Sequence, residues 1–307
     1  MQILRKALIE GKTFPHFARH TAEFMASTLF HTSDLYLQAK KKRTAVSSWE
    51  ENSEMCGLTE NVVFTDPFLT DASKTAFPNR HTSPHLDELV VSLRSDPDVI
   101  LEVSALKDKF LRDKQALLHG DLHTGSVMVS SERTVFIDPE FAFYGPMGFD
   151  LGALLANLLI AFFAQDAIGA QEGGDRGHVK EWLLKTIVEV WSLFSSRFVS
   201  LWNEKSNTGD GHPRKLLNQI EGGLVSAQTG YLRAVFEDSL GFTACKMIRR
   251  VLGVAHVKDL ECITEVEAKA KAEKKVLKMA VTLLKELRKE DGFRDIDEVT
   301  QFAQKVK

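Results

Sequence analysis

His119-Gly120-Asp121-Leu122-His123-Thr124-Gly125-Ser126-Val127-Met128-Val129 is followed, after a polar stretch from Ser130 to Thr134, by Val135-Phe136-Ile137-Asp138-Pro139-Glu140 and a tail that runs to Asp150. These residues decide the fold. Val127 to Val129 and Val135 to Ile137 are short β-like runs joined by a turn, so they predict a hairpin. A hairpin sets its two ends side by side. Asp121, before the first run, should therefore share one cleft with Asp138 and Glu140, after the second. Carboxylates crowded together repel one another and need a partner charge. Mg²⁺ is the natural partner, because it takes hard oxygen ligands and bridges to phosphates.

That layout favours phosphoryl transfer. Protein kinases place a catalytic Asp five residues before an Asn metal ligand, and a second metal-binding Asp after a strand. Here the same interval runs from Asp121 to Ser126, and the second element reads Asp138-Pro139-Glu140. Taken singly, Asp121 is equally a turn cap and Asp138 the start of a loop. The combination with His119, Gly120, Gly125 and the strand spacing points to a catalytic loop and a metal site.

The rest of the chain reads as helical. The 307 residues suffice for one large domain or two small ones, and 44% hydrophobic with 26% charged residues is ordinary globular composition. A net charge of −3 gives no support for nucleic-acid or acidic-membrane binding. Cys56, Cys245 and Cys262 lie far apart, at no metal-ligand spacing, and fit reduced thiols in a cytosolic protein. The N-terminus lacks the apolar segment of a signal peptide.

Phe17, Phe24, Met25 and Leu29 predict a helix from about 15 to 40, with Lys40 to Arg43 as its solvated basic end. Ser53 to Glu60 reads as a short helix, Val62 to Phe64 as an extended piece, and 65 to 85 as a long loop. Val99, Ile100, Val103, Leu106 and Phe110 mark a helix that leads into the catalytic stretch. Leu151 to Ala164 is apolar on every side but, at 14 residues, too short to span a bilayer. It predicts a buried helix with Asp150 at its N-terminus, where Asp150 could also hold the backbone of the catalytic loop. A glycine-rich break over 169–177 should precede the longest amphipathic helix, about 179 to 204. Two or three helices should cover about 215 to 258, and a charged helix about 264 to 290 should stop near Gly292. A short helix from about 295 to 304 closes the chain. The predicted fold class is mainly α, with one small β-hairpin carrying the acids.

The His-Gly-Asp-x-His loop at 119–123 resembles that of the phosphotransferase family of aminoglycoside and choline kinases. Five segments bring the resemblance closer, to the 5-methylthioribose kinase family: Ile3 to Ile9, His119 to Ser126, Ile137 to Asp150, Ala161 to Asp166 and Lys246 to Gly253. The resemblance implies a protein-kinase-like fold and ATP-dependent phosphorylation of the anomeric hydroxyl of 5-methylthioribose, in methionine salvage, by a cytoplasmic homodimer. It implies Asp121 as the residue that orients the hydroxyl and takes its proton, Asp138, Glu140 and Ser126 around Mg²⁺, and Arg249 and Arg250 on the sugar. His119, His123 and Asp150 would support the loop. Read from charge alone, the two arginines could stabilise developing charge or form a helix-end salt bridge. His81 stands where relatives carry Trp, in a loop that would close over the substrate. The resemblance also implies a nucleotide-binding sheet lobe before Ile3. Residues 1–307 therefore read as a helical C-terminal lobe, with weak or no turnover expected of it alone. Another same-fold kinase for a small alcohol, and a non-catalytic lobe acting through binding, are the alternatives.

Overall fold

The computed structural model describes residues 1–49, 52–76, 80–204, 209–287 and 289–307. Strand β1 (Gln2–Ile3) leads directly into α1 (Leu4–Ile9), followed by α2 (Phe17–His31), α3 (Ala39–Ser48), α4 (Ser53–Phe64), α5 (Asp87–Ser95) and α6 (Pro97–Arg112). The catalytic stretch then supplies β2 (Ala116–Leu118), β3 (Val127–Val129), β4 (Thr134–Phe136) and β5 (Phe143–Gly145). Helices close the chain: α7 (Gly148–Glu172), α8 (Gly177–Asn203), α9 (Arg214–Leu217), α10 (Gly223–Leu252), α11 (Lys258–Glu261), α12 (Val266–Glu286) and α13 (Ile296–Lys305). The mainly helical, kinase-like reading holds, as does the hairpin.

The hairpin is larger than expected. Strands β3 and β4 pair antiparallel, with Val127 opposite Phe136 and Val129 opposite Thr134, and β1 adds a third strand on the other edge of β3. Strands β2 and β5 form a second antiparallel pair, Leu118 opposite Phe143. The catalytic loop and the acidic loop thus each run between the two small sheets.

Helix α7 is the axis of the core. It extends through Gly169 to Glu172, so the break expected from 169 falls only at Gly173, which takes a left-handed φ of 70°. At 25 residues it is long and apolar enough to cross a membrane, but 89% of its most apolar window is buried inside the protein. The short-length argument was mistaken, and the buried-helix reading stands. Helix α10 packs closely along α7. A Cβ on Gly152 would lie 2.8 Å from the Ser239 carbonyl oxygen and from the Phe242 Cβ, and one on Gly148 would lie 2.7 Å from the Ser239 nitrogen. Thr243 Oγ donates across the contact to the Gly152 carbonyl at 3.3 Å.

Other boundaries moved for identifiable reasons. The helix expected over 15–40 stops at His31, where Ser33 Oγ donates to the Phe30 carbonyl and accepts from Leu35 N–H, replacing helical bonds with side-chain ones. Lys42 is not a solvated end. It lies inside α3, is buried, and donates to the carbonyls of Thr32 (3.0 Å) and Gln115 (2.6 Å), closing the C-terminus of α2 instead. Val62 to Phe64 continue α4, the strand preference of two β-branched valines and an aromatic residue overridden by burial of all three side chains. Helix α5 lies beyond the elements expected from sequence, and the two or three helices expected over about 215 to 258 are the short α9 and the 30-residue α10. The expected loop at 206–213 lies partly outside the described residues, as does part of the loop at 65–85. Helix α12 ends at Glu286, before Gly292, and a Cβ on Gly292 would lie 2.0 Å from the Glu286 carbonyl oxygen. All three cysteines are free thiols.

Candidate active site

Gly120 is where the catalytic loop meets the acidic loop. Its φ of +83° suits glycine, and a Cβ there would come within 2.0 Å of the Phe141 carbonyl oxygen. His119 makes the same contact through its ring, Nε2–H donating to the Ile137 carbonyl at 2.9 Å. Asp150, buried in the first turn of α7, accepts His119 N–H at 2.7 Å and Gly120 N–H at 3.0 Å. The expectation that Asp150 holds the loop backbone is realised, and its carboxylate makes no cap bond within its own helix. Asn52, which sequence reasoning passed over, ties the acidic loop from outside by donating to the carbonyls of Glu140 (3.0 Å) and Ala142 (2.8 Å).

Asp121 stands at the centre of a charged cluster. His123 Nδ1 accepts the N–H groups of Gly125 and Ser126, at 2.9 and 3.1 Å. That fixes the ring as the neutral tautomer with its hydrogen on Nε2, which faces Asp121 Oδ2 at 3.2 Å. Burial holds the His123 pKa below its ordinary value, against the pull of Asp121. The other carboxylate oxygen, Oδ1, lies 3.6 Å from Lys246 Nζ and 3.8 Å from Arg250 Nη2. Burial alone would raise the Asp121 pKa, but the His123 hydrogen bond, Lys246 and Arg250 outweigh it and hold the carboxyl well below the usual range.

Ser126 is turned inward. Its hydroxyl donates to the Asp121 carbonyl at 3.0 Å and is buried, so it braces the loop rather than presenting an oxygen to a metal. Asp138 and Glu140 differ: both are exposed, and neither carboxylate has a partner among the described residues. Asp138 adopts a left-handed φ of 68°, which Asp tolerates better than most residues. The three acids do not gather round one ion, because among the described residues no group of three or more His, Cys, Asp or Glu could hold a metal. Protein cations neutralise Asp121 instead. Two free carboxylates still suit Mg²⁺, which is commonly held by one or two carboxylates together with water and substrate phosphates.

Arg249 and Arg250 come from the last turn of α10. Arg250 is buried and donates through Nη1 to the Ala255 carbonyl at 3.0 Å. Its Nε and Nη2, together with Arg249 Nε, are buried without hydrogen-bond partners among the described residues. Neither arginine forms a surface salt bridge among the described residues. Arg249 and Asp121 line a recess of about 200 Å³ whose other walls include Thr59, Phe141 and Val254. The recess thus offers a carboxylate and guanidinium donors together, as a polyhydroxyl ligand requires.

Two further residues complete the cluster. Arg5, just beyond β1, donates from Nη2 to Asn157 Oδ1 (3.0 Å) and from Nε to Thr124 Oγ1 (3.3 Å), and pairs with Asp259 at 3.2 Å. Burial pushes the Asp259 pKa up to about 6, against Arg5 and Arg250. Lys246 is the second, and its spacing was a usable signal, since 246, 249 and 250 fall on one helical face. His81 lies in the loop that precedes α5, with Nε2 2.7 Å from Asp87 Oδ1 in the first turn of that helix, while Thr82 N–H reaches Glu273 on α12.

The fold and the loop are similar to those of phosphotransferases. Residues 64–182 match the model of the phosphotransferase enzyme family, a span that includes both acidic loops and the whole of α7. Over 92% of its length the chain is 47% identical to methylthioribose kinase 1 of Oryza sativa subsp. japonica, and over 98% it is 44% identical to methylthioribose kinase 2 of the same plant. Over 99% it is 40% identical to the methylthioribose kinase of Escherichia coli O45:K1 (strain S88 / ExPEC). The chain spans 64%, 69% and 70% of those proteins' own lengths. It belongs to the methylthioribose kinase family.

Proposed function

We propose that this chain carries the acceptor site and the catalytic loop of an ATP-dependent kinase that phosphorylates the anomeric hydroxyl of 5-methylthioribose. The observation that supports this most is the recess joining Asp121 to Arg249, beside the unpartnered guanidinium nitrogens of Arg250. Family membership supports the substrate, and the geometry supports the roles. The arginines donate to the sugar oxygens and orient the ring. Asp121 accepts the anomeric hydroxyl. The hydroxyl oxygen bonds to the γ-phosphorus of ATP as the bond to ADP breaks, and its proton passes to Asp121. A carboxylate held so far below its usual pKa is a weak base, so the proton moves late, once bonding to phosphorus has made it acidic. Asp121 contributes chiefly by positioning. Asp138 and Glu140 would hold Mg²⁺, which supplies charge neutralisation on the transferring phosphates.

Calorimetric titration of the purified chain with 5-methylthioribose, choline and kanamycin tests this reading. Saturable binding of 5-methylthioribose alone is the expected result. Binding of choline or kanamycin in its place would make the chain a kinase lobe for another alcohol, and no binding of any would leave it without an acceptor site.

A further inference from the structure

Lys246 has no part in the reading above, yet its ammonium sits behind the proposed base. Its side chain is 1% exposed, and Nζ lies 4.2 Å above the Phe149 ring and 3.6 Å from Asp121 Oδ1. A lysine in an all-helical core costs several kcal/mol unless its charge is matched. A leucine or methionine would fill the same space beside Phe149 without that cost. The groups that bear on it are Asp121 and Asp150 as anions and Arg249 and Arg250 as cations, and burial pulls its pKa down to about 7.

Asp121 shows what the charge does. Oδ1 is buried and has no hydrogen-bond partner among the described residues. What faces it is Lys246 and Arg250, both just beyond hydrogen-bond length, while His123 holds Oδ2. The two oxygens are therefore fixed by different means, one by a neutral donor and one by flanking cations. We propose that Lys246 is a positioning residue for the transfer: from behind, its ammonium fixes the ionised carboxylate of Asp121 in the orientation that receives the acceptor hydroxyl. It acts through Asp121 and does not touch the sugar. This rests on the acceptor-site reading for its functional meaning, but the Lys246–Asp121 coupling is measurable without any ligand.

The test is a double-mutant cycle on the full chain with Lys246→Met, Asp121→Asn and both together. Urea midpoints at pH 6, below the Lys246 pKa of about 7, should fall in each single variant and recover in the double variant above either single one. At pH 9, above that pKa, the recovery should largely vanish, which a lysine acting only as packing would not show. Should Lys246→Met fail to fold, folding of the double variant is the same coupling in another form. Additive midpoints, a coupling unchanged between pH 6 and pH 9, or a double variant that also fails to fold would each overturn the proposal. In calorimetry with 5-methylthioribose, Lys246→Met should weaken binding in the parent and change nothing further in the Asp121→Asn background. Equal weakening in both backgrounds would mean that Lys246 contacts the sugar, and would also overturn it. Failure of the parent chain to bind the sugar would sink the acceptor-site reading while leaving the urea cycle to decide the coupling.

Discussion

Asp121 is held by one neutral imidazole and two cations, all from side chains that are themselves buried or partly buried. Asn at this position keeps the shape but loses the charge and the ability to take a proton. In a full-length methylthioribose kinase scaffold carrying this chain, Asp121→Asn should lower turnover by ~10²–10⁴-fold, the usual contribution of a positioned base. Steady-state assays that find turnover within about threefold of the parent would remove Asp121 from that role. The Asp121 loop and its tie to Asp150 were legible in the sequence because both lie in one local stretch, but Asp138 and Glu140 do not join Asp121 round a single ion as the hairpin suggested. Lys246 left only its helical spacing with Arg249 and Arg250 as a signal, and Arg5 and Asn52 left none, because α10, α1 and the N-cap of α4 reach the loop only through tertiary packing. Ser126 shows the limit of spacing: the interval matched a metal ligand, but the small hydroxyl found a carbonyl inside its own loop.

At the scale of elements, the position of α10 decides the site, since that helix carries Lys246, Arg249 and Arg250. Its distance from α7 is set by Gly148 and Gly152. Alanine at Gly152 would gain about 1 kcal/mol in helix propensity. It would also force a methyl group to 2.8 Å from the Ser239 carbonyl oxygen and the Thr243 nitrogen, which are backbone atoms and cannot rotate away. Overpacking of this kind costs about 1–3 kcal/mol, so the clash should win. Gly152→Ala is expected to lower the urea midpoint and to weaken 5-methylthioribose binding together, because the arginines move with the helix. An unchanged midpoint with unchanged affinity would show that the helix contact has slack. The stripes of α6, α8 and α12 were legible because helical periodicity survives in the sequence. The ends of α2, α7 and α12 were not, because Ser33, Gly173 and the packing of Gly292 on Glu286 act through particular hydrogen bonds and close approaches rather than through pattern.

At the scale of the whole molecule, one continuous hydrophobic core runs from Leu4 in α1 to Ala303 in α13. Nothing in that core divides the chain, so thermal unfolding should be one cooperative transition by both calorimetry and circular dichroism. Two resolved transitions would mean that the helices after α9 form a separate unit. The central claim is that the proposed sugar site is built from this chain alone, with Arg249 and Asp121 lining one recess and Arg250 3.8 Å behind Asp121. Titration of 5-methylthioribose into Arg249→Ala and Arg250→Ala, beside the parent chain, tests it most directly. Each guanidinium supplies charged hydrogen bonds worth ~1.5–3 kcal/mol, so each variant should bind about 10- to 100-fold more weakly while melting as a folded protein. Parent-like affinity in both folded variants would contradict the account.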